Sequence, residues 1–242
     1  MEDKIVSKDT DLENNQVISR YMDLPKFVDL LRSSELHLES AVNFDDQLEG
    51  TMPESIRQSF IEAINQHDEQ NQKSVEILEY ENKLRTNISC WTLGSEDNMA
   101  LWKIYGGSAQ SLSVSTTVER IISSAFKWCE EGSIILKKVH YINHAGELPD
   151  GVYSLDRNIF RLKHEAYFFE REVRVVVTQP HGSHAKALRL PVVVNNFLTT
   201  ITVSPLAGEW FFNLVTDITE KYNVTVPVKK SSLSFLIEKA EK

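Results

Sequence analysis

Residues 167–180, YFFEREVRVVVTQP, are where chemistry is easiest to place in this chain. Glu170 and Glu172 stand two positions apart at the mouth of a valine-rich run. A strand has a side-chain period of two, so both carboxylates are expected on one face, close together. Such a pair can divide its labour. One carboxylate stays ionised and stabilises positive charge developing on a sugar ring, while the other orients or deprotonates a nucleophile. That division suits breakage of a glycosidic bond. The plainer reading of the same residues is a solvated strand edge, on which Glu170, Arg171, Glu172 and Arg174 are alternating charges.

Other chemistries have weaker signals. No glycine-rich phosphate loop ending in Gly-Lys-Ser/Thr is present, nor a G-x-G-x-x-G after a strand, so a nucleotide site would need another architecture. His140 and His144 have a helical ligand spacing but fall in a stretch that alternates like a strand, and no metal site is expected there. His181 and His184 read as exposed loop residues. The serines of SLSVSTT lack a nucleophile-elbow context. Cys90 and Cys129 each lie in an apolar segment, read as reduced core thiols rather than a disulfide framework.

Positioning these residues falls to a chain of 242 residues with 41% hydrophobic content and a net charge of -9. That is enough to bury a sizeable core, and no apolar run approaches the roughly 20 residues needed to span a bilayer. The amino terminus lacks a basic and then apolar signal pattern, so a cytoplasmic location is expected. The acidic balance argues against a broad basic face for nucleic acid.

Residues 1–15 are polar and expected to be disordered, followed by one α+β domain over 16–242. QVISRYM and ELHLES read as strands on either side of a helix capped by Asp23, which puts Arg20 and Ser40 near strand ends. A helical region is expected over 53–85, with a polar connection, NQHDEQNQKS, inside it. NISCWTL, SLSVSTT, SIILKKVHYI, EVRVVVTQ, KALRLPVVV, TTITVSP and VTVPVKKS read as further strands. Helices are expected at EDNMALWKIYGG, at 118–129 with Ile121, Phe126 and Cys129 facing the core, and on the stripe Phe211, Leu214, Val215, Ile218 and Tyr222.

The order RYMDLPKFVDLLRSSELHLESAVNFDDQLEG, SCWTLGSEDNMALWKIYGG, YFFEREVRVVV resembles the bacterial domain of unknown function 2971 family over residues 17–234. The matching positions are Arg20 and Tyr21; Phe44, Asp46 and Glu49; Trp102 and Tyr105; and Glu170, Glu172 and Arg174. Asp45 and Gln47 depart from that family's asparagine and proline. More distantly, a strand with arginine, a helix, a strand with serine and a late Glu-x-Glu strand are similar to the layout of ADP-ribosyltransferases. That resemblance implies a fold of mixed central sheets with flanking helices, and NAD as substrate. It implies Glu172 as the stabiliser of an oxocarbenium-like transition state and Glu170 as the residue orienting the acceptor. Arg20, Tyr21, Ser40, Asp46, Trp102 and Tyr105 would form the NAD-binding set, Arg20 through the pyrophosphate. It further implies an intracellular toxin or phage-defence effector, a protein or nucleic-acid acceptor, and a neutralising partner protein. The alternative is a non-catalytic interaction module or a nucleic-acid-processing effector that does not use NAD.

Overall fold

Alternating and helical patterns fold as elements close to where they are read. The computed structural model describes residues 5–64, 71–107, 109–126, 128, 133–146, 159–180 and 187–234. Its first half contains β1 (Ile5–Lys8), β2 (Val17–Asp23), α1 (Leu24–Ser33), β3 (Glu35–Ser40), α2 (Glu54–Ile64), α3 (Asn71–Leu84), β4 (Thr86–Leu93), α4 (Met99–Tyr105), β5 (Ser111–Thr117) and α5 (Val118–Ala125). Next come β6 (Ser133–Lys138), β7 (His140–Ile142), β8 (Leu162–His164), β9 (Glu172–Thr178) and β10 (Ala187–Pro191). The chain closes with α6 (Val194–Phe197), β11 (Thr200–Val203), α7 (Glu209–Lys221) and β12 (Val228–Lys230). Short 3₁₀ helices cover Ala41–Asn43, Ile159–Arg161 and Glu165–Glu170. The class is α+β, as expected. Among the described residues no helix is long and apolar enough to cross a membrane.

These elements form two compact units, each drawn from three stretches of chain. The first comprises Met1–Asp9, Leu38–Ser89 and Glu130–Leu188. In it β1 runs parallel to β6, β6 runs antiparallel to β9, and β9 neighbours the start of β4, which the end of β3 joins through Glu39 and Ile88. β7 and β8 form a separate parallel ribbon that pairs Tyr141 with Lys163. The β9 valines 173, 175, 176 and 177 are all buried, so this strand is covered on both faces and reads as a continuous apolar run.

The second unit comprises Thr10–His37, Cys90–Cys129 and Arg189–Lys242. There β2 pairs antiparallel with the end of β4 and with β5, β5 pairs with β11, and β11 runs parallel to β12. α1 begins as read: the Asp23 carboxylate accepts the Lys26 backbone N–H, Pro25 lies in the first turn, and Phe27, Leu30 and Leu31 are buried.

Four expectations are corrected. The segment 1–15 is not disordered throughout: Ile5–Lys8 is a strand on β6, and Leu12 is buried. Asp9 fixes that segment, pairing with Lys137 at 3.2 Å and accepting the Lys138 backbone N–H at 2.8 Å. The helix read over 118–129 ends at Ala125, and Phe126, beyond the last buried position, is 64% exposed; Cys129 lies outside the described residues. SIILKKVHYI breaks into two strands at Val139, because β6 and β7 pair with different partners. KALRLPVVV leaves the strand at Pro191, and its last valine starts α6. The polar connection at 65–70 and the loop histidines His181 and His184 lie outside the described residues.

Candidate active site

Glu170 and Glu172 do not share a strand. Glu170 ends the 3₁₀ helix and Glu172 opens β9; between them Arg171 takes a left-handed conformation at φ 47°. This turn cancels the expected alternation, yet it still aims both carboxylates at one cation. Lys163, the middle residue of β8, donates from Nζ to Glu170 Oε2 and, at 2.7 Å, to Glu172 Oε1. The Lys163 ammonium also lies 4.7 Å from the centre of the Tyr167 ring. Tyr141, opposite Lys163 on β7, accepts the Glu172 backbone N–H on its hydroxyl at 2.8 Å.

The other Glu172 oxygen accepts from Arg174 Nε at 2.6 Å. Arg174 turns the rest of its fork on Glu49, with Nη1 on Oε1 and Nη2 on Oε2 at 3.0 Å, and Nη1 also donates to the Phe160 carbonyl at 2.7 Å. Glu49 reaches this position from a tight loop closed by Gly50 at φ 66°, where an added Cβ would lie 2.4 Å from the Phe160 ring. Glu49, Lys163, Glu170, Glu172 and Arg174 are all buried. Three carboxylates thus share two cations in a setting where charge–charge interactions are strong.

The protonation equilibria follow from that crowding. Burial alone would raise the Glu172 carboxyl, but Arg174, a hydrogen bond from Glu170 and Lys163 together hold it down at about 2. Glu49 moves the other way, because burial outweighs its Arg174 partner. Burial would lower Lys163, and the two carboxylates overcome it and raise it. Tyr141 is pushed up by burial. One carboxylate is therefore kept anionic in a dry site beside a second carboxyl, an arrangement able to stabilise a neighbouring cation.

Of the remaining candidates, Ser40 and Asp46 belong to the same unit. Ser40 is buried and its backbone N–H donates to Glu39 Oε1 at 3.1 Å. Asp46 Oδ1 accepts the Leu48 N–H at 3.0 Å, while its buried Oδ2 has no hydrogen-bond partner. The other four are in the second unit. Arg20 Nη1 donates to the His37 carbonyl at 3.1 Å. Tyr21 sets its ring edge-on to Trp102, centroids 4.7 Å apart, and its hydroxyl accepts the Asn98 N–H at 3.2 Å. Trp102 is 2% exposed and donates from Nε1 to Asp97, whereas Tyr105 is exposed. Among the described residues no group of three His, Cys, Asp or Glu side chains is placed to hold a metal ion.

Lys163 and Tyr141 were not legible as site residues. RLKHEAYFFE carries no strong strand pattern, and only the three-residue pairing of β7 with β8 brings Lys163 to the carboxylates. Glu49 and Arg174 were visible as charges in the two motifs, but their pairing links positions 125 residues apart in sequence.

No protein-family model and no curated protein matches the chain, so its resemblance to the families above rests on the residues quoted for them. Among solved structures it is similar to DNA- and NAD-bound forms of one protein, DarT of Thermus sp. 2.9. The complex with NAD+ has 9% identity, covers 90% of this chain and 96% of that one, and gives a TM-score of 0.43. The complex with ADP-ribosylated ssDNA has 10% identity, 91% and 95% coverage, and a TM-score of 0.42. At such scores and identities the likeness fixes neither the fold nor the chemistry of this chain.

Proposed function

We propose that the chain is an NAD-dependent ADP-ribosyltransferase or NAD glycohydrolase acting as an intracellular effector or toxin, with Glu172 stabilising the oxocarbenium-like transition state. The observation that carries this reading is the convergence of Glu170 and Glu172 on one ammonium, with Glu172 held anionic. A ribose 2′-hydroxyl donating to Glu172 Oε1 would take the place of Lys163 there. Arg174 on Oε2 would keep the carboxylate charged as the bond from ribose C1′ to the nicotinamide nitrogen breaks and the nitrogen leaves with the electron pair. Glu170, released from Lys163, would accept the proton of the incoming acceptor or water. Arg20 would hold the pyrophosphate, with Tyr21, Ser40, Asp46, Trp102 and Tyr105 as the remaining NAD-binding set.

One observation favours a second reading. Glu172 is 5% exposed and both its oxygens are engaged inside the chain. A charge network satisfied in this way serves equally well as the buried core of a non-catalytic interaction module.

Purified protein incubated with NAD labelled in the adenosine half, with cell protein or single-stranded DNA as acceptor, separates the two. The enzyme releases nicotinamide, and Glu172→Gln abolishes turnover while NAD binding persists, because the amide keeps the size but loses the charge. Absence of nicotinamide release, of labelled acceptor and of calorimetric NAD binding would leave the interaction module.

A further inference from the structure

β7 and β8 run parallel, and their carboxyl ends open on a cavity of about 690 Å³ that none of the carboxylate-cluster residues lines. This volume lies in the range of sites for small organic ligands, about 300 to 1,000 Å³. Leu48, Met52, Ile61, Asn143, His144 and His164 are among the residues that line it. The two imidazoles stack nearly parallel, planes 13° apart and centroids separated by 5.9 Å.

His144 is out of place as a structural residue. It is 8% exposed, and neither ring nitrogen has a hydrogen-bond partner. Buried polar atoms without partners are costly and are rare in folded proteins. Its backbone is meanwhile well anchored, the carbonyl accepting the Glu54 N–H at 3.0 Å where α2 begins. Burial and the neighbouring His164 lower the affinity of His144 for a second proton, against a smaller opposing pull from Asp46. The neutral ring presents one donor and one acceptor. His164 spends Nδ1 on the Ala166 N–H at 3.1 Å, which leaves the proton on Nε2 in its neutral form.

The charges around the cavity select against anions. Arg57 reaches both oxygens of Glu79 through Nη2, at 2.8 and 2.7 Å, and is neutralised there. Glu54, which accepts from Gln58, remains as a negative charge in the wall, and the Asp46 carboxylate lies near His144. Among the described lining residues the one arginine or lysine is Arg57, already paired with Glu79, so an entering phosphate or carboxylate meets mainly negative charge. A flat, uncharged ring can lie against the His164 face and the apolar wall, and a donor or an acceptor on its edge can meet one nitrogen of His144 once that ring turns about its Cβ–Cγ bond.

We infer that this cavity binds a neutral nucleoside, its base lying against His164 and hydrogen-bonded to His144. The inference does not depend on NAD chemistry at Glu172. Calorimetry on the full chain at neutral pH, with adenosine, AMP and inorganic phosphate as probes, tests it. Adenosine is expected to bind with Kd at or below the millimolar range, more tightly than AMP, and phosphate not at all. His144→Phe, which keeps a flat ring of similar size but removes both polar nitrogens, weakens adenosine binding about tenfold or more. Should that variant fail to fold, Ile61→Trp fills the cavity and abolishes binding, and adenosine shifts the His144 ring ¹⁵N resonances in the unaltered protein. Glu172→Gln retains adenosine binding, which separates failure here from failure of the NAD reaction. Displacement of adenosine by NAD identifies a dinucleotide as the source of the nucleoside; lack of displacement identifies a free nucleoside. No heat from millimolar adenosine, tighter binding of AMP or phosphate, or unchanged binding in both variants overturns the inference.

Discussion

Arg174 is wholly buried, and its guanidinium joins the two buried carboxylates of Glu49 and Glu172. Replacing it with methionine keeps much of the volume but leaves Glu49 and Glu172 buried with Lys163 as their remaining cation. Breaking a buried pair on one side costs about 3 to 5 kcal/mol, and Arg174→Met is expected to lower stability by that amount in urea unfolding. Arg174→Lys should recover little of it, since one ammonium cannot reproduce a fork that contacts Glu172 through Nε and Glu49 through both terminal nitrogens. A near-neutral result for either variant would mean that the cluster is not desolvated as described. At this scale the sequence was informative about which residues carry charge and silent about partners. Arg171 shows why: its left-handed turn overrides the period-two rule that made Glu170 and Glu172 look like strand neighbours, and no glycine or asparagine marks the place.

Elements were legible where a pattern ran long enough to be unambiguous. α1 has a cap, a first-turn proline and a stripe, and it begins as read. α5 shares its stripe but stops a turn early, which changes what Phe126 does. Its ring is 64% exposed, so Phe126→Ala is expected to change stability by less than about 0.5 kcal/mol. Ile121, on the same helix and 1% exposed, should cost about 2 to 5 kcal/mol when cut to alanine. Thermal melts of the two variants side by side decide whether the helix face is assigned correctly; a large loss at Phe126 would contradict it. The short elements β1 and β8 escaped notice, and β7 was merged with the strand before it, because three or four residues cannot establish a period. β7 and β8 exist through each other: their ladder pairs Tyr141 with Lys163 and sets both beside Glu172.

On the scale of the whole molecule, alternation of strands and helices was enough to read an α+β chain, whereas the two units, each assembled from three separated stretches, depend on which strands pair and leave no local trace. What the charge cluster does to overall stability can be derived by sign. The Glu172 carboxyl is held near 2 against an ordinary 4.5, so its contribution is fully present above 4.5 and is lost as pH falls toward 2. That contribution is on the order of 3 kcal/mol. Glu49, raised by burial, acts in reverse: its contribution is full below 4.5 and is lost as pH rises through its elevated value, which partly offsets Glu172 in acid. His144, lowered from 6.5, adds stability above that pH and loses it as pH falls. Lys163, raised above 10.5, holds its contribution below that pH and gives it up at higher alkalinity. Stability should therefore be greatest between neutral pH and about 10, with an acid limb that starts at the histidine and steepens below 4.5. In Glu172→Gln the steep part below 4.5 should flatten, while the shallower loss near 6.5 stays and is removed instead by His144→Phe. Urea midpoints taken across the pH range for the three proteins check this assignment. An acid limb of unchanged steepness in Glu172→Gln would place the titrating group outside the cluster.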